Sequence, residues 1–325
     1  MSLQPTLLAS PLAGFLSRLA LAPRQEHGGL TLWPLVLRGA TALDDVYSAG
    51  IPEIVPLADA VADGSARVVD LGPGGIGPQL RVENDGAAAL LVLFGEELQC
   101  GTQQRIANAS FLVRAHATLV IDVACVGREP WLRRPGARFV AGGAVASHAL
   151  RRKMAPKVAT ARAALGRFVA DQREVWDEVA ARLARSRIDG PAAGFAEFRA
   201  AHQVATDALG ERFHPVVGQL GFVAAIGDAI AGLEAVGRPG VFTRLFPSLL
   251  GAYAIDAIEA AGSVTSHAAT PRYRGPEPFV TALAGVSAGS APSLGIGEDL
   301  RFEAAGLRGC ALVAGDVIHL TAFPA

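Results

Sequence analysis

The sequence is poor in charge, and this shortage excludes two classes of protein. Charged residues make up 18% of the 325 positions, below the roughly 25% of an ordinary soluble domain. The formal net charge is only −1, and apolar residues reach 51%. An intrinsically disordered chain combines low hydrophobicity with high net charge, so that class is excluded. Nucleic-acid-binding domains are clearly basic, so we expect no nucleic-acid partner.

Cysteine is scarce as well. The three cysteines, Cys100, Cys125 and Cys310, form no C-x-x-C pair and do not suggest a disulfide framework. The seven histidines are scattered, without an H-x-x-x-H pattern. The sequence therefore predicts a cytoplasmic protein with no zinc or iron site and no resident cofactor. A carboxylate-bound Mg²⁺ stays open, because it needs only one or two protein carboxylates.

Long apolar runs are also missing. A membrane-spanning helix needs about 20 nearly uninterrupted apolar residues. The best candidate, 216–236, is interrupted by Gln219, Asp228, Glu234 and four glycines. The segment 1–23 lacks a basic beginning and carries two early prolines, which is atypical of a signal peptide. We expect no membrane association.

Strand patterns dominate the first part of the chain. The segment 30–38 predicts a first strand, which Pro34 should place at a sheet edge because proline lacks a backbone N–H. The segment 88–94 is apolar at every position and predicts a strand buried on both faces. A second pair of strands is predicted at 109–114 and 118–126. Further strands are expected at 67–71 and 79–83.

Helical patterns follow, and strand patterns return at the end. Apolar residues spaced by three and four predict one long helix over 157–187. Other helices are predicted at 194–209 and 247–261, and a hairpin at 299–323. This order favours an α+β fold in which a mostly antiparallel or mixed β-sheet packs with a long central helix and further helices. We expect a single domain over 1–325, divided into strand-rich 30–126, helical 145–212 and mixed 213–325.

The segment 94–108 is polar although it lies between two apolar strands. It carries the side chains Glu96, Glu97, Gln99, Gln103, Gln104, Arg105 and Asn108. Unpaired burial of such groups costs a few kcal/mol each, so they need partners. In one interpretation they satisfy one another, with Glu96 or Glu97 ion-paired to Arg105. In the other they present donors and acceptors to a ligand, with Gln103 and Arg105 on one face of an extended segment.

A glutamine on an apolar helix face and a basic segment are two further candidates for a ligand site. Gln172 falls on the apolar stripe of the predicted long helix, where it needs a hydrogen-bond partner in a neighbouring loop or a ligand. The segment 128–157 contains eight basic residues and one acid. It reads either as a solvated loop or as a rim that faces an anion, since arginine binds phosphate and carboxylate bidentately.

Two segments match the residue patterns of known ligand-binding or catalytic motifs but lack the strands and helices that should flank those motifs. Residues 72–77 fit G-x-G-x-x-G, yet no helix follows, so a glycine-rich turn is the better interpretation. Residues 285–289 fit the G-x-S-x-G nucleophile pattern around Ser287, followed by Asp316 and His319. The strand before and the helix after the serine are missing, which argues against a serine hydrolase.

Three motifs together resemble a known family. The run G-E-E-L-x-x-G-x-Q-x-R-x-x-N, a strand pair that ends in A-C-V-G-R-x-x-W, and D-Q-x-x-V-W are similar to the ARG and rhodanese-phosphatase-superfamily-associated protein domain. The similarity is clearest over 83–131 and 171–179 and weaker over 213–260 and 309–323. The family's motif residues fall on Gly95, Glu96, Gly101, Gln103, Arg105, Asn108, Cys125, Arg128, Trp131, Gln172 and Trp176.

The chain also departs from the family pattern. Cys100, Thr102 and Gln104 replace glycine, lysine and asparagine, and the run after Cys125 is rearranged. The absent lysine removes any role that needs an amine at that position. By context alone, the family name implies a link to NAD or ADP-ribose metabolism.

The sequence and the resemblance suggest an enzyme that processes a phosphate-bearing small molecule, either ADP-ribose- or NAD-derived or a nucleotide. Glu96 is the candidate general base or acid and Arg105 the candidate anion clamp. A carboxylate beside arginine has a lowered pKa, which suits a base better than an acid. Candidate substrate-binding residues are Glu97, Gly101, Gln103, Asn108, Arg128, Trp131, Gln172 and Trp176. The alternative is a non-catalytic ligand-binding or scaffold module. Cys125 is a core thiol or, in a third interpretation, a nucleophile, and the oligomeric state stays open.

Overall fold

The computed structural model describes residues 10–39, 53–71, 78–127, 136–190, 193–262 and 272–325. The helices in these ranges are α1 (Pro11–Ser17), α2 (Leu57–Ala62), α3 (His148–Leu165), α4 (Gln172–Arg185), α5 (Phe195–Gly210), α6 (Pro239–Ala261) and α7 (Pro276–Ala284). The strands are β1 (Leu19–Leu21), β2 (Gln25–His27), β3 (Leu30–Leu37), β4 (Ile54–Pro56), β5 (Ala66–Asp70), β6 (Gln79–Asn84), β7 (Ala89–Val92), β8 (Glu96–Cys100), β9 (Gln103–Ala107), β10 (Phe111–Val113), β11 (Ala117–Cys125), β12 (Arg138–Val145), β13 (Gln219–Ile226), β14 (Ala229–Val236), β15 (Gly289–Pro292), β16 (Glu298–Ala304), β17 (Leu307–Ala314) and β18 (Asp316–Pro324).

Two helices, α3 and α4, stand where the apolar stripe predicts one. Gly166 ends α3 in the left-handed conformation, with a φ of +67°, which favours glycine. Asp171 begins α4, because its side chain accepts hydrogen bonds from the backbone N–H groups of Arg173 and Glu174. The prediction of one helix over 157–187 is therefore wrong. The other predicted helices are present, although α6 begins earlier, at Pro239.

The largest sheet has nine antiparallel strands in the order β1–β3–β13–β14–β18–β17–β16–β15, with β2 also paired to β3. The predicted edge position of β3 is wrong, since β13 flanks it on one side and β1 and β2 flank it on the other. Pro34 is tolerated there because β1 pairs with residues 35–37 and β2 with residues 30–32. The proline thus faces the link between two short strands.

Six strands close into a barrel in the order β11–β6–β5–β12–β8–β9. A separate three-stranded sheet, β10–β7–β4, contains the parallel pair β4–β7. The strands β10 and β11 are consecutive in sequence but belong to different sheets. All four residues of β7 are buried, as its apolar pattern predicts.

Helix α6 joins the two large β units. It packs on β13 and β14 of the nine-stranded sheet and on β12 of the barrel. Of the described helices, α6 alone is long and apolar enough to cross a membrane, but 67% of its apolar window is buried inside the protein, as in many core helices. The α+β fold predicted from the element order is confirmed.

Candidate functional site

A cavity of about 1120 Å³ lies between the barrel wall, α5 and α6. The barrel contributes residues of β8, β9 and β12, and α5 contributes one face along most of its length. The charged side chains that border the cavity are Glu97, Arg105, Arg199, Asp207 and Glu211. A large cavity with convergent polar groups is the first place to look for a ligand site.

The β8–β9 hairpin carries three of the ten predicted site residues, Glu97, Gly101 and Arg105, to this cavity. Its turn contains Gly101, whose φ of +58° is readily adopted by glycine. Along β9 the side chains alternate, as the extended segment predicts. Gln104 reaches α5, whereas Gln103 and Arg105 lie together on the opposite face.

Arg105 lies in a group of four family motif residues, three of them buried and Gln172 half-buried, which we call the Arg105 cluster: Gln103, Arg105, Cys125 and Gln172. The Arg105 Nη1 donates to Cys125 Sγ at 3.1 Å, and Nη2 donates to Gln103 Oε1 at 3.2 Å. Arg105 is 5% exposed, and among the described residues no carboxylate forms an ion pair with it. Its charge is therefore not balanced by an acid within the described part of the chain.

Gln172 serves the cluster by fixing a strand end. Its Oε1 accepts from the Cys125 backbone N–H at 2.8 Å, and its Nε2 donates to the Cys125 carbonyl at 2.7 Å. The Gln172 side-chain amide thus makes the same pair of hydrogen bonds to the end of β11 that a neighbouring strand would make. The sequence left open whether Gln172 bonds a neighbouring loop or a ligand. In the structure its partner is the backbone of Cys125, at the end of β11.

Gln104 positions the start of α5. Its Oε1 accepts from the Ala196 backbone N–H at 2.7 Å, and its Nε2 donates to Glu197 at 2.9 Å. A Cβ at Gly194 would lie 2.8 Å from Gln104 Oε1, so glycine is required for this close approach. The hairpin thus holds the first turn of α5 against the cavity.

Glu97 pairs with Arg199 of α5 and not with Arg105. The Arg199 guanidinium donates to both carboxylate oxygens, with Nε 3.1 Å from Oε2, and also donates to the Val145 carbonyl. The predicted alternative, an ion pair from Glu96 or Glu97 to Arg105, is therefore wrong. Because Glu97 has its own cation, it leaves Arg105 unneutralised.

Glu96 lies at a second, smaller cavity of about 100 Å³, which Asp59 and Arg244 also line. Its Oε2 accepts from the Leu93 backbone N–H at 2.9 Å. Burial raises the pKa of Glu96 to about 8. The sequence interpretation placed this carboxylate beside arginine, with a lowered pKa suited to a base. The structure corrects that expectation, because a raised pKa suits a proton donor.

The two cavities meet at Gly143 and Ser248, which line both. Gly143 belongs to a bulge in β12, since the pairing with β8 shifts register between Ala141 and Val145. The Ser248 hydroxyl donates a hydrogen bond to the Gly143 carbonyl at this junction. Bulges of this kind are common next to functional sites.

Several predicted site residues lie apart from the cavities. Asn108 is buried and donates to the Phe168 carbonyl at 2.9 Å, which anchors the link between α3 and α4. Trp176 is 39% exposed on α4, so it does not belong to the buried face that the stripe predicts. Arg128 and Trp131 fall outside the described residues, as does the glycine-rich segment 72–77.

Three of the five described basic residues in the segment 128–157 pair with carboxylates of neighbouring elements. Lys153 and Lys157 stand on α3 and pair with Glu178 and Glu174 of α4. Arg151 is fully buried and pairs with Glu234 at 2.8 Å. The carboxylates of neighbouring elements thus neutralise these three cations.

The hydrolase-like pattern around Ser287 is not assembled. His319 bonds Ser110 at 2.7 Å and lies 3.3 Å from Glu234, all buried and outside both cavity linings. Asp316 pairs with Arg18. Within the described ranges, no group of three or more His, Cys, Asp or Glu side chains is placed to hold a metal ion.

The sequence interpretation named Gln104 without its role beside α5 and missed Arg199 and the cavity-facing side of that helix. A signal for them was present. Arg199, Gln203 and Asp207 recur at helical spacing on a predicted helix and indicate a polar face, although only the fold shows what that face meets.

Comparison with known protein families identifies a match over nearly the whole chain. The family model described as ARG and Rhodanese-Phosphatase-superfamily-associated Protein domain matches residues 18–323. No curated protein and no solved structure matches the chain significantly.

Proposed function

The chain belongs to the ARG and Rhodanese-Phosphatase-superfamily-associated Protein family, and we propose that it binds a phosphate-bearing small molecule in the cavity along α5. The ligand class includes ADP-ribose- or NAD-derived molecules and nucleotides. The observation that carries the proposal is a large cavity whose lining includes Arg105, a buried residue that forms no ion pair with a carboxylate among the described residues. A buried charge without a counter-charge is costly, and a bound anion would supply it.

Isothermal titration with ADP-ribose, NAD and nucleoside phosphates tests the proposal. We expect Arg105→Gln to weaken binding by about 10-fold or more, because a charge-assisted hydrogen bond is lost, and Arg105→Lys to weaken it less. The matched control is Arg81→Gln, since Arg81 pairs with Glu83 on the barrel and lies outside the cavity lining. Binding by none of the ligands, or equal binding after Arg105→Gln, would contradict the proposal.

Stability separates a ligand role of Arg105 from a structural one. Ligand sites often store unfavourable charge that costs stability. We therefore expect the ligand-free Arg105→Gln variant to keep or raise the melting temperature. A sharp fall would assign Arg105 to the architecture of the barrel instead.

Turnover of the bound ligand is the second candidate function. It is favoured by the position of Glu96, a carboxyl with a raised pKa in a chamber that meets the ligand cavity at Gly143 and Ser248. A general acid must be protonated, so the rate should fall as the pH rises through about 8. Mass spectrometry of the incubated ligands should show a product with the wild type and none with Glu96→Gln, whereas binding is retained. Binding without a product would identify a non-catalytic module.

A further inference from the structure

The ligand cavity is elongated along α5. The lining residues on this helix begin at Ala196 and continue through Arg199, Gln203 and Asp207 to Gly210. With a rise of 1.5 Å per residue, this face extends over about 21 Å. The site is thus long enough for a ligand with two chemically different ends.

The two ends of the cavity carry opposite charge. Near the beginning of α5, Arg105 and Arg199 are accompanied by one carboxylate, Glu97, which leaves a formal charge of +1. Asp207 and Glu211 border the cavity at the end of the helix. The helix dipole acts in the same direction, since its positive end is the N-terminus. A phosphate group is therefore attracted to the beginning of α5 and repelled from its end.

The end with the carboxylates also has an apolar wall. Phe213, Phe246 and Leu250 border the cavity there with small apolar edges, since each residue is only 3–4% exposed. Carboxylates accept hydrogen bonds from hydroxyl and amino donors, and aromatic walls suit a flat ring. A hydroxylated sugar with a planar base offers both groups in one molecule.

From this arrangement we infer that the cavity orients a nucleoside polyphosphate, with the phosphates at the beginning of α5 and the nucleoside between the carboxylates and the phenylalanines. The inference rests on the proposed function and specifies the ligand of the same cavity. It assigns the phosphates to Arg105 and the ribose hydroxyls to Asp207 and Glu211.

The test compares ADP with its two parts, pyrophosphate and adenosine, by isothermal titration against wild type and Asp207→Asn/Glu211→Gln. Both positions are exposed, so the variant should fold, and melting temperatures check this. We expect ADP to bind wild type more tightly than pyrophosphate. In the variant, ADP affinity should fall by about 10-fold because hydrogen bonds to charged acceptors are lost, while pyrophosphate affinity should not fall.

The control Asp177→Asn/Asp189→Asn removes the same charge from exposed positions outside the cavity and should change neither affinity. Equal affinity for ADP and pyrophosphate would overturn the inference but leave the proposed function standing. Unchanged or tighter ADP binding in Asp207→Asn/Glu211→Gln would also overturn it. If neither ADP nor pyrophosphate binds wild type, both this inference and the proposed binding of a phosphate-bearing molecule are contradicted.

Discussion

Glu96 shows what a residue's sequence context can and cannot tell. Its place in a polar segment next to an apolar strand marks it as a residue that needs a partner. Its protonation depends on burial by α2 and α6, whose residues Asp59 and Ser248 are distant in sequence but share its chamber. Sequence spacing contains no information about this desolvation, so the expected direction of the pKa shift was wrong.

The first residue-scale prediction concerns stability against pH. In the unfolded chain Glu96 titrates near 4.5, whereas in the folded protein its pKa is about 8. Between these values the folded state binds one more proton, so stability falls as pH rises, by about 1.4 kcal/mol per pH unit from this group. Glu96→Gln should remove this component, which urea unfolding between pH 5 and 8 can measure.

Glu83→Gln provides the control of opposite sign. A hydrogen bond from Arg67 lowers the pKa of Glu83, so its contribution to stability is lost only on the acid side, below 4.5. Its replacement should leave the slope between pH 5 and 8 unchanged. An identical slope in wild type and Glu96→Gln would contradict the assignment of a raised pKa.

At the scale of elements, local patterns identified most strands and helices, and the errors have physical causes. The capping residues Gly166 and Asp171 divide a continuous apolar stripe, because local hydrogen bonds end one helix and begin the next. Pro34 sits inside a sheet because two short strands share one side of β3. Neither arrangement follows from periodicity, since each depends on which segments meet in space.

The element-scale prediction concerns the attachment of α4 to the barrel. Gln172→Ala removes both hydrogen bonds to Cys125 and leaves a backbone N–H and a carbonyl without these partners. We expect a loss of about 2 kcal/mol in the free energy of unfolding, measured with urea. Arg173→Ala, at the exposed neighbouring position, should change it by less than about 0.5 kcal/mol. Equal effects at the two positions would contradict the structural role of Gln172.

At the scale of the whole molecule, one buried carboxylate of the large sheet connects two of its strands with two helices. Glu234 of β14 accepts from Arg151 of α3, Tyr253 of α6 and Thr321 of β18. Arg151 also packs on Gly95, where a Cβ would lie 2.4 Å from its Cδ. Arg151 belongs to the basic segment that the sequence shows, but its partner Glu234 lies 83 residues away along the chain. No local pattern therefore predicts the pair.

The whole-molecule prediction is a large cost for separating this pair. Arg151→Met leaves Glu234 charged and buried, so we expect a loss of about 3–5 kcal/mol in the free energy of unfolding. The double variant Arg151→Met/Glu234→Gln should lose less than the sum of the single variants, because they share one interaction. Additive losses would show that the two side chains act independently.

The control for this cycle is Arg18→Met. Arg18 pairs with Asp316 at 2.7 Å, but the two side chains are 39% and 21% exposed. A solvated pair contributes about 0–1 kcal/mol, so the loss should stay in that range.

The contact between Ser248 and Gly143 has a consequence for rates. The Ser248 hydroxyl lies where the linings of the two cavities overlap, and it turns about a single χ1 bond. Side-chain rotations take picoseconds to nanoseconds in exposed positions, whereas concerted backbone movements take microseconds to milliseconds. A rotamer change of Ser248 would therefore alter the shared lining of the two cavities on the time scale of a side chain, without a rearrangement of the fold.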